Sequence, residues 1–174
     1  VDKHGVATYL DTAAYAEGMT GDKFGCSVSL SGDMLAVGAF NANPYGDLKS
    51  GAVCLYRVDS NDSVIHLDTA IGLDRARGDR FGYSVSLSGD RLAVGAFYAD
   101  PDGKSNAGVA YVYRVEANLG VIHLATVVAP DGKRNDRFGN SVSQSDTWLA
   151  VGAYRSTEHG KSRAGSAYVF EFSD

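Results

Sequence analysis

A period of 57 residues governs this chain, and it constrains the fold more than any other feature. Phe24-Gly25 recurs 57 residues on as Phe81-Gly82, and again as Phe138-Gly139. Gly38-Ala39-Phe40 returns as Gly95-Ala96-Phe97 and Gly152-Ala153-Tyr154. Between residues 24–40 and 81–97 only two of 17 positions differ, Cys26/Tyr83 and Met34/Arg91. A fixed period of this length marks a repeat architecture, in which each unit is one supersecondary element stacked on its neighbours. The units run 24–80, 81–137 and 138–174. Residues 7–13 align with 64–70, so stretch 1–23 reads as the last strand and link of a preceding unit. The third unit lacks that last strand.

Each unit reads as four short strands. Residues 24–31 alternate Cys26, Val28 and Leu30 with Ser27, Ser29 and Ser31, the period of a strand. Gly32-Asp33 then supplies a two-residue hairpin. Residues 34–40 are apolar on both faces, as a strand between two layers must be. Residues 51–58 and 64–71 are the third and fourth strands, and no segment has sustained helical spacing. Gly38, Gly95 and Gly152 interrupt the second strands, where a glycine signals close approach of another backbone. Four strands repeated radially make a propeller blade, so the fold class is all-β, with three β-propeller blades and essentially no helix.

The string FGCSVSLSGDMLAVGAF followed by GAVCLYRV resembles the FG-GAP repeat of integrin α-subunit propellers. It is similar in style to surface-protein variants that carry SGD and lack the calcium loop. The resemblance covers the chain from Ala7 to Phe172. It implies an extracellular or cell-surface β-propeller with a binding or adhesion role and no catalysis in the propeller itself. Calcium does not carry over. The links Gly32-Asp33, Gly89-Asp90 and Asp146-Thr147 are too short to supply the six to eight oxygens that ion takes.

Propellers have four to eight blades, so three leave two apolar faces and one strand edge bare. The expected partner is the chain itself or further blades of a longer chain. In a dimer, two copies make a six-bladed ring and residues 6–13 of each complete the last blade of the other. A longer covalent propeller and a head-to-tail filament are the alternatives.

Most candidate chemistry reads as structural. Cys26 and Cys54 sit on the first and third strands, two interstrand steps apart, so they are expected as two buried free thiols and not a disulfide. His66 and His123 occupy one place in different blades, which separates them as zinc ligands. His159 lies in a loop and His4 near the start. No serine sits in a nucleophile elbow, no phosphate-binding fingerprint occurs, and no cofactor is expected. With 16 Lys and Arg against 21 Asp and Glu, the net charge of -5 argues against a nucleic-acid partner. No apolar run approaches the ~20 residues of a membrane helix.

Function belongs where the units disagree. Between the second and third strands the copies read NANPYGDLKS, YADPDGKSNA and RSTEHGKSRA. Loops on a rigid scaffold carry binding, and in the FG-GAP family this loop resembles the ligand-facing edge. The candidate ligand residues are Asn41, Asn43, Asp47 and Lys49 in the first loop. Tyr98, Asp100, Asp102, Lys104 and Asn106 are those of the second, and Arg155, Glu158, His159, Lys161 and Arg163 those of the third. The third loop is basic and suits an acidic side chain, a sulfate or an anionic glycan. Asp79, Asp136, Arg80 and Arg137 in the blade links read as turn residues or inter-blade ion pairs. Trp148, the single Trp, is expected partly exposed, against a sugar or a neighbouring subunit. The expected function is a non-enzymatic module recognising a protein or glycan. A self-assembling structural module and a lectin with one sugar site per blade are the alternatives.

Overall fold

The structure is a computed structural model, and it describes residues 7–116 and 120–172. His4 and the first six residues of the N-terminal stretch lie outside the described residues. Among the described residues eleven strands form three antiparallel sheets in sequence order. The first is β1 (Phe24–Ser31), β2 (Met34–Ala39), β3 (Ala52–Val58) and β4 (Val64–Ala70). The second is β5 (Ser84–Ser88), β6 (Arg91–Ala96), β7 (Val109–Glu116) and β8 (Gly120–Val127). The third holds β9 (Phe138–Gln144), β10 (Trp148–Ala153) and β11 (Ser166–Glu171), with no fourth strand among the described residues. Four-strand alternation in the sequence therefore becomes a meander of neighbours, and the expected blades are present.

The blades stack face to face. Ala36, Val53 and Leu55 of the first meet Val85, Leu87, Leu92, Val94 and Tyr111 of the second. Ala93, Ala110 and Val112 on its other side meet Phe138, Leu149 and Val151 of the third. This double burial explains why the second strands are apolar throughout. The first strands of successive blades pack closely while the fourth strands splay apart, so the first strands are innermost.

Inner strands are joined by the alternating serines. Ser27 Oγ donates to the Gly82 carbonyl at 2.8 Å, and Ser84 Oγ to that of Gly139 at 2.9 Å. The amides of Leu87 and Gln144 donate to Ser29 and Ser86, each at 2.9 Å, and that of Gly89 to Ser31 at 3.1 Å. The serines thus satisfy backbone groups of the next blade that no strand pairing reaches. Gly38 and Gly95 are also explained. A Cβ on either would fall on the carbonyl oxygen of Gly82 or Gly139.

The N-terminal stretch forms no strand over residues 7–14, yet its contacts follow the repeat. Asp11 Oδ2 accepts from the Val64 amide at 2.9 Å, and Asp68 Oδ2 from Val121 at 2.9 Å. Tyr56 donates to the Ala14 carbonyl at 2.8 Å, and Tyr113 to that of Ile71 at 2.9 Å. Residues 11–14 occupy the place that β4 and its exit take against the second blade.

One expectation needs correction. Cys54 is buried, but Cys26 is exposed. The ladder between β1 and β2 shifts register between Phe24 and Val28, so Cys26 lies in a bulge and escapes the alternation. As expected, helix is nearly absent: among the described residues it is confined to single 3-10 turns at Pro44–Gly46 and Pro101–Gly103. Proline fixes φ at the first position of both. The third copy has Glu158 there and forms a tight turn instead, with backbone hydrogen bonds both ways between Glu158 and Lys161.

Candidate functional site

Each link between blades folds back onto the loop between the second and third strands, and this makes one cleft position per blade. The device is a buried aspartate. Asp22, Asp79 and Asp136 are buried, and each accepts from a backbone amide three residues earlier, at 2.8, 2.6 and 2.8 Å. The residue that follows takes a positive φ in every copy, 62° at Lys23, 64° at Arg80 and 65° at Arg137. The aspartate carbonyls then receive the loop amides of Asn41, Tyr98 and Arg155. Asp79 and Asp136 are thus turn residues, as expected. Burial pushes the Asp79 carboxyl up to about 6. Arg80 and Arg137 lie over aromatic rings at the second-strand end of their own repeat units. Arg80 lies 5.3 Å from the Phe40 ring centre, and Arg137 lies 5.7 Å from that of Phe97 and 3.6 Å from that of Tyr98.

The three positions are furnished differently. The first is a cleft of about 640 Å³ that brings Asn41, Asn43 and Lys49 together with Lys23 and Arg77 of the links. At the second, Tyr98 lies under Arg137, and Asn106 accepts from Arg137 at 2.9 Å. The third is a cleft of about 350 Å³ lined by Arg155 and Arg163 of the loop and by Lys133 and Arg134 of the link. Four cations from two segments converge there. The Asp136 carboxylate at its floor is already held by the Lys133 amide. Glu158 is directed elsewhere, accepting from Ser166 Oγ.

Several loop candidates are braces. Asn43 Oδ1 accepts from the Lys49 amide, and Asp100 Oδ1 from the Asn106 amide, both at 2.6 Å, so these side chains hold their own loops. Asp47 pairs with Arg75 at 2.9 Å. Asp102 and Lys104 line a separate small recess beside Ala129 and Gly132. His159 and Lys161 sit in the tight turn, outside the basic cleft. His66 and His123 bond to Thr69 and Thr126 at 3.1 and 3.0 Å and meet Tyr56 and Tyr113 edge-on. Among the described residues no three His, Cys, Asp or Glu groups converge on a metal position.

Sequence reasoning missed Lys133 and Arg134, because the link was read as a turn and the loop as the surface. The signal was the recurring Asp three and two residues beyond them, whose carboxylate accepts from the Lys133 amide while its carbonyl receives the Arg155 amide of the loop.

Comparison with curated proteins returns no match. The FG-GAP repeat family matches residues 12–56, 69–113 and 123–170, each window running from a fourth-strand position through a link and three strands. Its periodicity agrees with the three sheets, and the chain belongs to the FG-GAP repeat family.

Proposed function

We propose that this chain is a non-enzymatic binding module that captures an anionic group of a protein or glycan ligand in the basic cleft of its third blade. One observation carries this reading. Lys133, Arg134, Arg155 and Arg163 line one cleft against a single carboxylate, Asp136, one oxygen of which is held by the Lys133 amide. Arginine forks suit carboxylate and sulfate oxygens. A concave site with low-dielectric walls concentrates that potential although the whole chain is acidic. The first cleft is also basic, with Lys23, Lys49 and Arg77, but the second has Tyr98 under Arg137 instead, which counts against a sugar pocket repeated in every blade. Family membership supports a place outside the cell or at its surface. Among the described residues no helix is long and apolar enough to cross a membrane.

The test is direct binding of a sulfated oligosaccharide and of an aspartate-rich peptide, measured by calorimetry. The expected result is binding of at least one, reduced tenfold or more by Arg134→Ala, Arg155→Ala and Arg163→Ala together. Substituting His159 and Lys161 to Ala should leave it within twofold. Binding unchanged by the triple substitution, or no binding of either probe, overturns the reading.

A further inference from the structure

We infer that a second copy of this chain docks on the open side of the third blade and donates residues 7–13 as that blade's fourth strand, giving a closed ring of two chains and six blades.

Exposed apolar side chains mark the surfaces. Val28 and Leu30 are each 64% exposed, while their counterparts Val85 and Leu87 are buried against the preceding blade. On the far side of the molecule Val169 is 66% exposed and Trp148 50%. The counterparts of those two, Leu55 and Met34, pack in the interface that buries Val85 and Leu87. One open face therefore carries the groups that the other buries at each internal junction. The inner-strand ladder is open in the same way. Ser141 and Ser143 are exposed, whereas Ser84 and Ser86 bond to the third blade. In the ring Ser141 donates to the Gly25 carbonyl of the second copy, and Ser143 accepts from its Leu30 amide.

The donated strand is already prepared. Residues 10–13 read Leu-Asp-Thr-Ala, identical to residues 67–70 in β4. Asp11 and Ala14 make the contacts with the first blade that Asp68 and Ile71 make with the second. What residues 7–13 lack is a third strand to pair with, and β11 has a free outer edge among the described residues. The pairing of β3 with β4 and of β7 with β8 sets the register. Ala167 faces Ala13, Tyr168 faces Thr12, Val169 faces Asp11 and Phe170 faces Tyr9. Unpaired edges of this kind seek strands.

The experiment combines solution mass with cross-linking. Light scattering on the 174-residue chain should give about twice 18.3 kDa. In a chain carrying Cys26→Ser and Cys54→Ser, Ala13→Cys with Ala167→Cys should oxidise to a covalent species of doubled mass. Tyr9→Cys with Ala167→Cys is out of register and should not. A single-chain mass at micromolar concentration, a ladder of higher polymers, a disulfide within one chain, or equal linking by the out-of-register pair each overturns the proposal.

Discussion

Gly38 lies directly beneath the carbonyl oxygen of Gly82, so close that a methyl group on Gly38 would overlap it. Gly95 stands in the same relation to Gly139. The contact joins the second strand of one blade to the Phe-Gly turn of the next, so the two recurring dipeptides of the sequence are two sides of one junction. Gly95→Ala should therefore lower stability by about 3 kcal/mol, at the upper end of overpacking costs. Within one chain Gly152 meets closely just the Ser141 hydroxyl, which can rotate away. Gly152→Ala should therefore cost the single chain less than about 1 kcal/mol, since alanine suits a strand better than glycine. In the two-chain ring Gly152 faces the Gly25 carbonyl of the second copy, so there the variant should weaken assembly. Urea denaturation at concentrations where the chain is single checks the comparison, and equal destabilisation there would refute it.

The serine ladder makes a second comparison. Ser29→Ala leaves the Leu87 amide without its partner in an interior position, at a cost of about 1–2 kcal/mol. Ser143 is exposed within one chain, so Ser143→Ala should change the stability of the chain by less than about 0.5 kcal/mol. Its effect should fall on assembly, read as a shift of the two-chain mass toward one chain on dilution.

Asp79 gives the fold a pH dependence of unusual sign for a carboxylate. Burial, opposed in part by the Ala76 amide, raises its folded pKa from 3.8 to about 6. The folded state then holds a proton between those two values that the unfolded state has released. Stability from this group is full below 3.8 and is lost as pH rises through about 6. Asp79→Asn keeps an oxygen for the Ala76 amide and cannot ionise. Denaturation midpoints across this range should fall with rising pH in the parent relative to the variant. Parallel profiles would show that the carboxyl does not titrate as described.

How much could be read from the sequence differs by level. Strand boundaries were legible nearly to the residue, because three copies with period-two alternation and a Gly-Asp turn leave little freedom. The inner-strand serines were visible as a pattern but not as hydrogen-bond partners, since their acceptors and donors lie some 55–58 residues away in another blade. The basic cleft was half legible. Arg155 and Arg163 stood out in a variable loop, while Lys133 and Arg134 join them through the Asp136 carbonyl, which receives the Arg155 amide. Cys26 was misplaced because alternation carries no sign of a bulge, and the register shift beside Phe24 turns it outward.

The two thiols should accordingly differ in chemistry. Thiolate is the reactive form, so exposure and a low pKa both favour attack on a disulfide reagent. Burial pushes the Cys54 thiol up, with Thr69 and Tyr56 opposing that shift, and the side chain has no exposed surface. Cys26 is open to solvent, its Sγ 3.4 Å from the Gly82 carbonyl. An aromatic disulfide reagent added to the native protein should label one thiol per chain quickly and the second only on unfolding. Cys26→Ser should abolish the fast phase and Cys54→Ser should leave it intact. Fast labelling of both thiols would mean that the first blade does not bury Cys54 between β2 and its N-terminal cover of Ala13 and Tyr15.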